Sequence, residues 1–172
     1  MNKPFLAVAA LLLCCACTGR KPQNDEAVSP IQKITGLNMV QTQNGAQEWR
    51  LTSPNARVFE KTGKATLLDP KMEFMENNAV VSQITAKNGE LQLETKDMVL
   101  TKDVVAHSLK DQTTLETTLL RYSSSRKKIY TEMEVVITKD GGRMTGDNFE
   151  ANPDLSEISL KNHRTLLPEK AP

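Results

Sequence analysis

From Ile34 onward the chain is built from short stretches in which apolar and polar residues alternate, broken by turn-forming residues roughly every 8–12 positions. Successive side chains of a strand point to opposite faces, so this pattern makes one face greasy and the other wet. The clearest example, Ile129 to Ile137, is expected as one strand with Ile129, Met133, Val135 and Ile137 apolar against the acidic Glu132 and Glu134. Met72 and Phe74 stand between Lys71, Glu73 and Glu76, and Leu91 and Leu93 between Glu90, Gln92 and Glu94. A helix through these stretches would bury the interleaved acids. Asn44-Gly45, Asn88-Gly89 and Asp140-Gly141-Gly142 are expected as tight turns, because Asn, Asp and Gly tolerate the positive φ that such connections require.

About a dozen such strands are too many for one flat sheet, so a sandwich, a barrel or a rolled sheet is required. Self-comparison reveals a degenerate two-strand repeat. Leu51, Ile84, Leu115 and Met144 open similar segments at spacings of 33, 31 and 29, and Ala56, Gly89, Leu120 and Phe149 follow each of them five residues later. Leu67–Met72 aligns with Leu100–Val105, and Ile129 aligns with Ile158. Stacked rungs of this kind extend one hydrophobic inner surface. By parity the inward residues are Met72, Phe74, Ile84, Leu91, Leu93, Val105, Leu115, Leu120, Tyr122, Val135, Ile137, Met144, Phe149, Ile158 and Leu160.

The N-terminus has a different logic. Lys3 precedes the apolar run Phe5 to Ala16, whose twelve residues span about 18 Å as a helix, short of the roughly 30 Å bilayer core. Residues 1–16 are therefore expected as an export signal. Leu13-Cys14-Cys15-Ala16-Cys17 resembles a bacterial lipobox, with Cys17 as the lipidated residue and a membrane anchor by acyl chains. An ordinary cleaved signal, or acylation at Cys15, is the alternative. Residues 17–33, polar and broken by Pro22 and Pro30, are expected as a tether, residues 34–167 as the folded domain and 168–172 as a tail.

Composition removes several functions. Lys and Arg number 22 against 21 Asp and Glu, so no global field gathers nucleic acid. Two histidines, His107 and His163, with cysteines only at 14, 15 and 17, leave the domain without a usual metal-ligand set, and no cofactor is expected. Catalysis is not expected: Ser123-Ser124-Ser125 lacks a nucleophile-elbow or phosphate-loop context, and Glu132 and Glu134 lie on a polar face. Arg121, Arg126, Lys127 and Lys128 read as a solvated hairpin tip.

The ordered set Gly36-Leu37, Trp49-Arg50-Leu51-Thr52-Ser53-Pro54-Asn55-Ala56, Leu67-Leu68-Asp69-Pro70, Ile84-Thr85-Ala86-Lys87-Asn88-Gly89 and Leu91-Gln92-Leu93, with the last rungs from Leu115 to Leu160, resembles the LptC family of lipopolysaccharide export, and more loosely the OstA-like repeats of LptA. The resemblance implies a twisted, slightly open β-jellyroll, an all-β half-pipe whose inner face carries the acyl chains of lipopolysaccharide. It also implies docking of the N-terminal end on the inner-membrane transporter LptBFG and hand-over to LptA at the C-terminal end, across a last strand bearing Ile158, Leu160 and Leu166. Family members carry a membrane-spanning N-terminal helix; here a lipid on Cys17 would do the anchoring at the periplasmic side of the inner membrane. A structural envelope lipoprotein with a filled β core, or an LptA-like bridge, is the alternative. On the transport reading, Phe149→Glu should impair lipid loading more than folding.

Overall fold

The computed structural model describes residues 32–166. The expected export signal, the lipidation site Cys17, most of the expected tether and the tail lie outside the described residues. Twelve strands follow one another: β1 (Gln32–Gln43), β2 (Ala46–Phe59), β3 (Lys64–Leu68), β4 (Lys71–Glu76), β5 (Ala79–Thr85), β6 (Asn88–Gln92), β7 (Met98–Ser108), β8 (Thr114–Ser123), β9 (Lys128–Thr131), β10 (Val135–Lys139), β11 (Gly142–Ala151) and β12 (Ser159–Leu166). The first begins at Gln32, inside the stretch expected as a tether.

All twelve belong to one sheet, and every pairing is antiparallel. The ladders show a simple meander. β3 and β4 both pair β2, β5 and β6 both pair β7, and β9 and β10 both pair β8 and β11. Each of these couples is one long rung broken at its middle. The long strands are interrupted at the same level: Gly36 in β1, Lys102 and Asp103 in β7, and Asn148 in β11 have positive φ. In β2 the break falls at Pro54, where the Ser53 hydroxyl reaches the carbonyls of Asn55 and Leu68 at 2.8 and 2.7 Å. An inserted or left-handed residue bends a strand and breaks its ladder. Because the breaks align, the whole sheet folds along that line, and its two halves face each other as a β-jellyroll.

The bends explain the repeat. Leu51, Met72, Ile84, Ala106, Leu115, Ile137 and Met144 are successive cross-strand partners and form one transverse row. Ala56, Leu67, Gly89, Leu100 and Leu120 form another beyond the bend, where Phe149 pairs Thr131. The spacing of five is therefore the step from an inner position on one side of the fold line to the next inner position on the other. Simple alternation would give four or six.

Three expectations are corrected. Ile129 to Ile137 is two strands rather than one: the chain leaves the ladder at Glu132–Glu134, where Thr131 Oγ1 accepts the Met133 N–H at 3.1 Å, and Met133 is exposed. Asn88-Gly89 is not a turn but the start of β6. Gly89 is buried there, and a side chain would crowd its neighbours, since a Cβ would lie 3.1 Å from Pro70 Cγ and 3.2 Å from Leu67 Cδ1. Val105 is not inward. The two consecutive left-handed residues of β7 add a step that Asp69-Pro70 does not, so Val104 and Ala106 enter the core while Val105 turns outward.

Candidate functional site

The inner face is the feature on which a ligand reading must rest. Of the residues expected on it, Met72, Phe74, Ile84, Leu91, Leu115, Leu120, Tyr122, Val135, Ile137 and Phe149 are buried in one hydrophobic cluster. Leu93, Met144 and Leu160 pack against its margin, half buried. Ile158 is exposed. Parity alone missed Trp49, Leu51, Ala56, Leu67, Met98, Leu100, Ile129 and Ala151, which alternate just as clearly within their own strands. Leu155 belongs to the same cluster although it lies in the loop between β11 and β12, where no periodicity could reveal it.

Contacts across the fold close the middle of the molecule. Phe74 of β4 meets Tyr122 of β8 edge to face, with ring centroids 5.1 Å apart. Burial, with the charge of Glu48 beside it, pushes the Tyr122 phenol up to about 12, so it stays neutral throughout the physiological range. Along the free rims, turns of one half are clasped to turns of the other. Lys127, in the β8–β9 turn, reaches Glu48 at 2.7 Å and Gln43 at 2.5 Å, at the β1–β2 hairpin. Lys110, in the β7–β8 turn, bridges Glu76 at 2.5 Å and Asp154 at 3.0 Å, and the Ser82 hydroxyl donates to the Pro153 carbonyl at 2.6 Å. The Lys110 ammonium is held above the usual lysine range by its hydrogen bonds to Glu76 and Asp154.

The ends are different. In β1, Ile34, Leu37 and Met39 continue the inner rows but are only partly buried. At the other end Ile137, Met144, Ile158, Leu160, His163 and Thr165 line an open apolar cleft of about 510 Å³ between β11 and β12. The two terminal strands also keep one edge each unpaired: β1 pairs only β2, and β12 pairs only β11. The docking residues expected on β12 divide accordingly. Leu160 turns inward over Gly146, where a Cβ would come within 2.7 Å of Leu160 Cγ, while Ile158 and Leu166 are 38% and 69% exposed.

Most of the basic cluster is occupied. Arg126 pairs Glu150 at 2.9 Å and lies over the Tyr130 ring, Lys127 holds Glu48, and Lys128 reaches Asn152 and Glu157. Glu132 and Glu134 are exposed at the break between β9 and β10. His107 Nδ1 is 3.0 Å from the Thr114 hydroxyl. Among the described residues no group of three or more His, Cys, Asp and Glu is placed to hold a metal, and no helix is long and apolar enough to cross a membrane.

The fold is similar to that of LptH of Pseudomonas aeruginosa, described as the LptA-homologous periplasmic component of the conserved lipopolysaccharide transport device. The TM-score is 0.56 at 10% sequence identity, covering 70% of this chain and 95% of LptH. At that identity the likeness is one of fold. No curated protein matches in sequence. Residues 6–167 match the family described as lipopolysaccharide-assembly, LptC-related. A match of that extent carries the whole jellyroll with both of its edges, and the chain belongs to the LptC-related family.

Proposed function

We propose that this protein is a non-catalytic, periplasmic carrier of lipopolysaccharide, taking the lipid from the inner-membrane transporter LptBFG at its β1 end and passing it to LptA at its β12 end. The observation that carries the reading is the inner face. Its apolar side chains extend from partly buried Ile34, Leu37 and Met39 on β1 to partly buried Met144 on β11 and Leu160 on β12, so half-buried apolar groups lie next to both unpaired edges. An unpaired edge strand is a hazard unless pairing with a partner is its use, and a jellyroll that continues its neighbour's sheet also continues its neighbour's inner face. Met, Leu and Ile suit the task, since flexible aliphatics accommodate acyl chains without gripping one shape. A lipid on Cys17 would hold the carrier at the membrane; the intact mass of detergent-extracted protein checks this.

A second reading, a structural envelope lipoprotein with a filled core, is favoured by one observation: Leu115, Leu120 and Phe149 are essentially inaccessible. Photoreactive residues at Met39, Met144, Leu160 and Leu115 in cells separate the two. Lipid capture at Met39, Met144 and Leu160 is the expected result, with capture at Leu115 only when the transporter is working. Absence of lipid from all four positions would favour the filled core.

A further inference from the structure

A cleft of about 790 Å³ lies away from the inner face. Its lining is three adjacent positions on each of four strands in turn, 33–35 of β1, 55–57 of β2, 66–68 of β3 and 88–90 of β6, followed by 99 and 101 of β7 and ending at Arg121 of β8. Ile34, Ala56, Leu67 and Gly89 belong to the inner face, so they offer this cleft only their backbone. Its side chains come from the outward residues on either side. The cleft is therefore a concave trough on the outside of the sheet, running across the strands.

Cross-strand pairing orders its contents. Lys33, Arg57, Thr66, Glu90, Val99 and Arg121 are successive partners along one wall, and Thr35, Asn55, Leu68, Asn88 and Thr101 along the other. Glu90 is neutralised by Lys64 at 2.7 Å. Lys33, Arg57 and Arg121 have no ion pair among the described residues, which makes the trough cationic in a chain whose formal charge is only +1. Lys33 and Arg57 sit side by side at one end. Arg121 stands four strands from Arg57, about 19 Å away at roughly 4.8 Å per strand. Between the cationic ends lie amides and hydroxyls.

This chemistry selects its ligand. An extended peptide lying in the trough would gain little, because every strand of the floor except β1, at its rim, already has both edges paired. A bilayer surface would gain little, because Leu68 is the trough's one large exposed apolar side chain. A chain of hydroxyls with anionic substituents matches on both counts: Arg and Lys meet the anions, and Asn and Thr meet the hydroxyls. No aromatic ring is present to stack a neutral sugar, so the anions must supply most of the affinity. We infer that the trough binds a phosphorylated oligosaccharide, the polar part of the lipid whose acyl chains the interior receives. The identity of that saccharide rests on the function proposed above.

The test is titration of the full chain with lipopolysaccharide stripped of all its acyl chains, which cannot enter the interior, followed by calorimetry at low salt. Saturable one-to-one binding is expected. It should weaken at least tenfold for Arg57→Glu/Arg121→Glu, at least tenfold for the dephosphorylated saccharide, and steadily as salt rises. Both arginines lie on the outer face, so an unchanged thermal melt should accompany the loss, and Arg57→Gln/Arg121→Gln should lose less. Undiminished binding to the double variant, equal binding of the dephosphorylated saccharide, or no saturable binding by the parent protein would each overturn the inference. Loss of acyl-chain capture from the interior positions with saccharide binding intact would instead sink the carrier reading and leave the trough standing.

Discussion

Leu115 and Met144 stand in the same transverse row, two strands apart, yet Leu115 is sealed from solvent while Met144 is half exposed. At the opposite end Met39 of the same row is half exposed as well. The alternation that points these side chains inward is the same in all three strands. What differs is company: β8 has a strand on either side and the opposing half of the fold above it, whereas β1 and the β11–β12 pair close the sheet. One apolar face thus serves two purposes, as the core that stabilises the middle and as accessible surface at the ends.

The strongest challenge to this contrast is charge. Phe149 is 1% exposed and lies in the central cluster. Phe149→Glu should therefore cost more than about 4 kcal/mol and prevent folding, contrary to the expectation, drawn from the transport reading of the sequence, that it impairs lipid loading more than folding. Ile158→Glu, at the open end, should change stability by less than about 0.5 kcal/mol, measured by urea denaturation. Truncation gives the next effect: Leu115→Ala should lose about 2–5 kcal/mol, and Met144→Ala less than half as much. Comparable losses at the two positions would mean that the ends are as closed as the middle.

A smaller effect tests how β12 is held. Only five residue pairs join it to β11, with two shifts of register, and any side chain at Gly146 would strike Leu160 Cγ and the Lys161 carbonyl, both at 2.7 Å. Gly146→Val should lift β12 and speed amide exchange across residues 159–166, while β7 and β8 keep their protection. The rim clasps should matter least. Lys127→Ala removes an exposed ion pair worth less than about 1 kcal/mol and should register mainly as faster exchange at the β1–β2 hairpin.

Acid probes the other clasp. Burial pushes the Asp154 carboxyl up, but hydrogen bonds from Ser156 and the Lys110 ammonium outweigh it and leave the group below its ordinary 3.8. Lys139 does the same for Asp111, more strongly. With the folded value below the unfolded one, the stability these carboxylates supply is complete above about pH 4 and is lost as pH falls through their lower folded values. Denaturation midpoints taken from pH 6 to pH 2 should fall, and Asp154→Asn should flatten the slope slightly.

Much of the fold was legible in the chain because alternation writes inner and outer faces directly. The repeat at Leu51, Ile84, Leu115 and Met144 identified alternate members of one transverse row, since each hairpin carries two inner rows across one bend. It failed at Val105, where Lys102 and Asp103 adopt positive φ with no glycine to announce it. It failed at Leu155, which enters the core from a turn stapled through Pro153 to Ser82. The outer trough was also hidden, because Lys33, Arg57 and Arg121 are far apart in sequence and become one wall only through strand order.

Local chemistry by itself determined that this chain is all-β, that its strands repeat in pairs, and that they share one apolar face. Each of those follows from the order of side chains along a pleated backbone. Which part of that face is core and which part is open surface depends on how many strands lie beside and above it. That count is set by the folding of the sheet, a property no single segment carries.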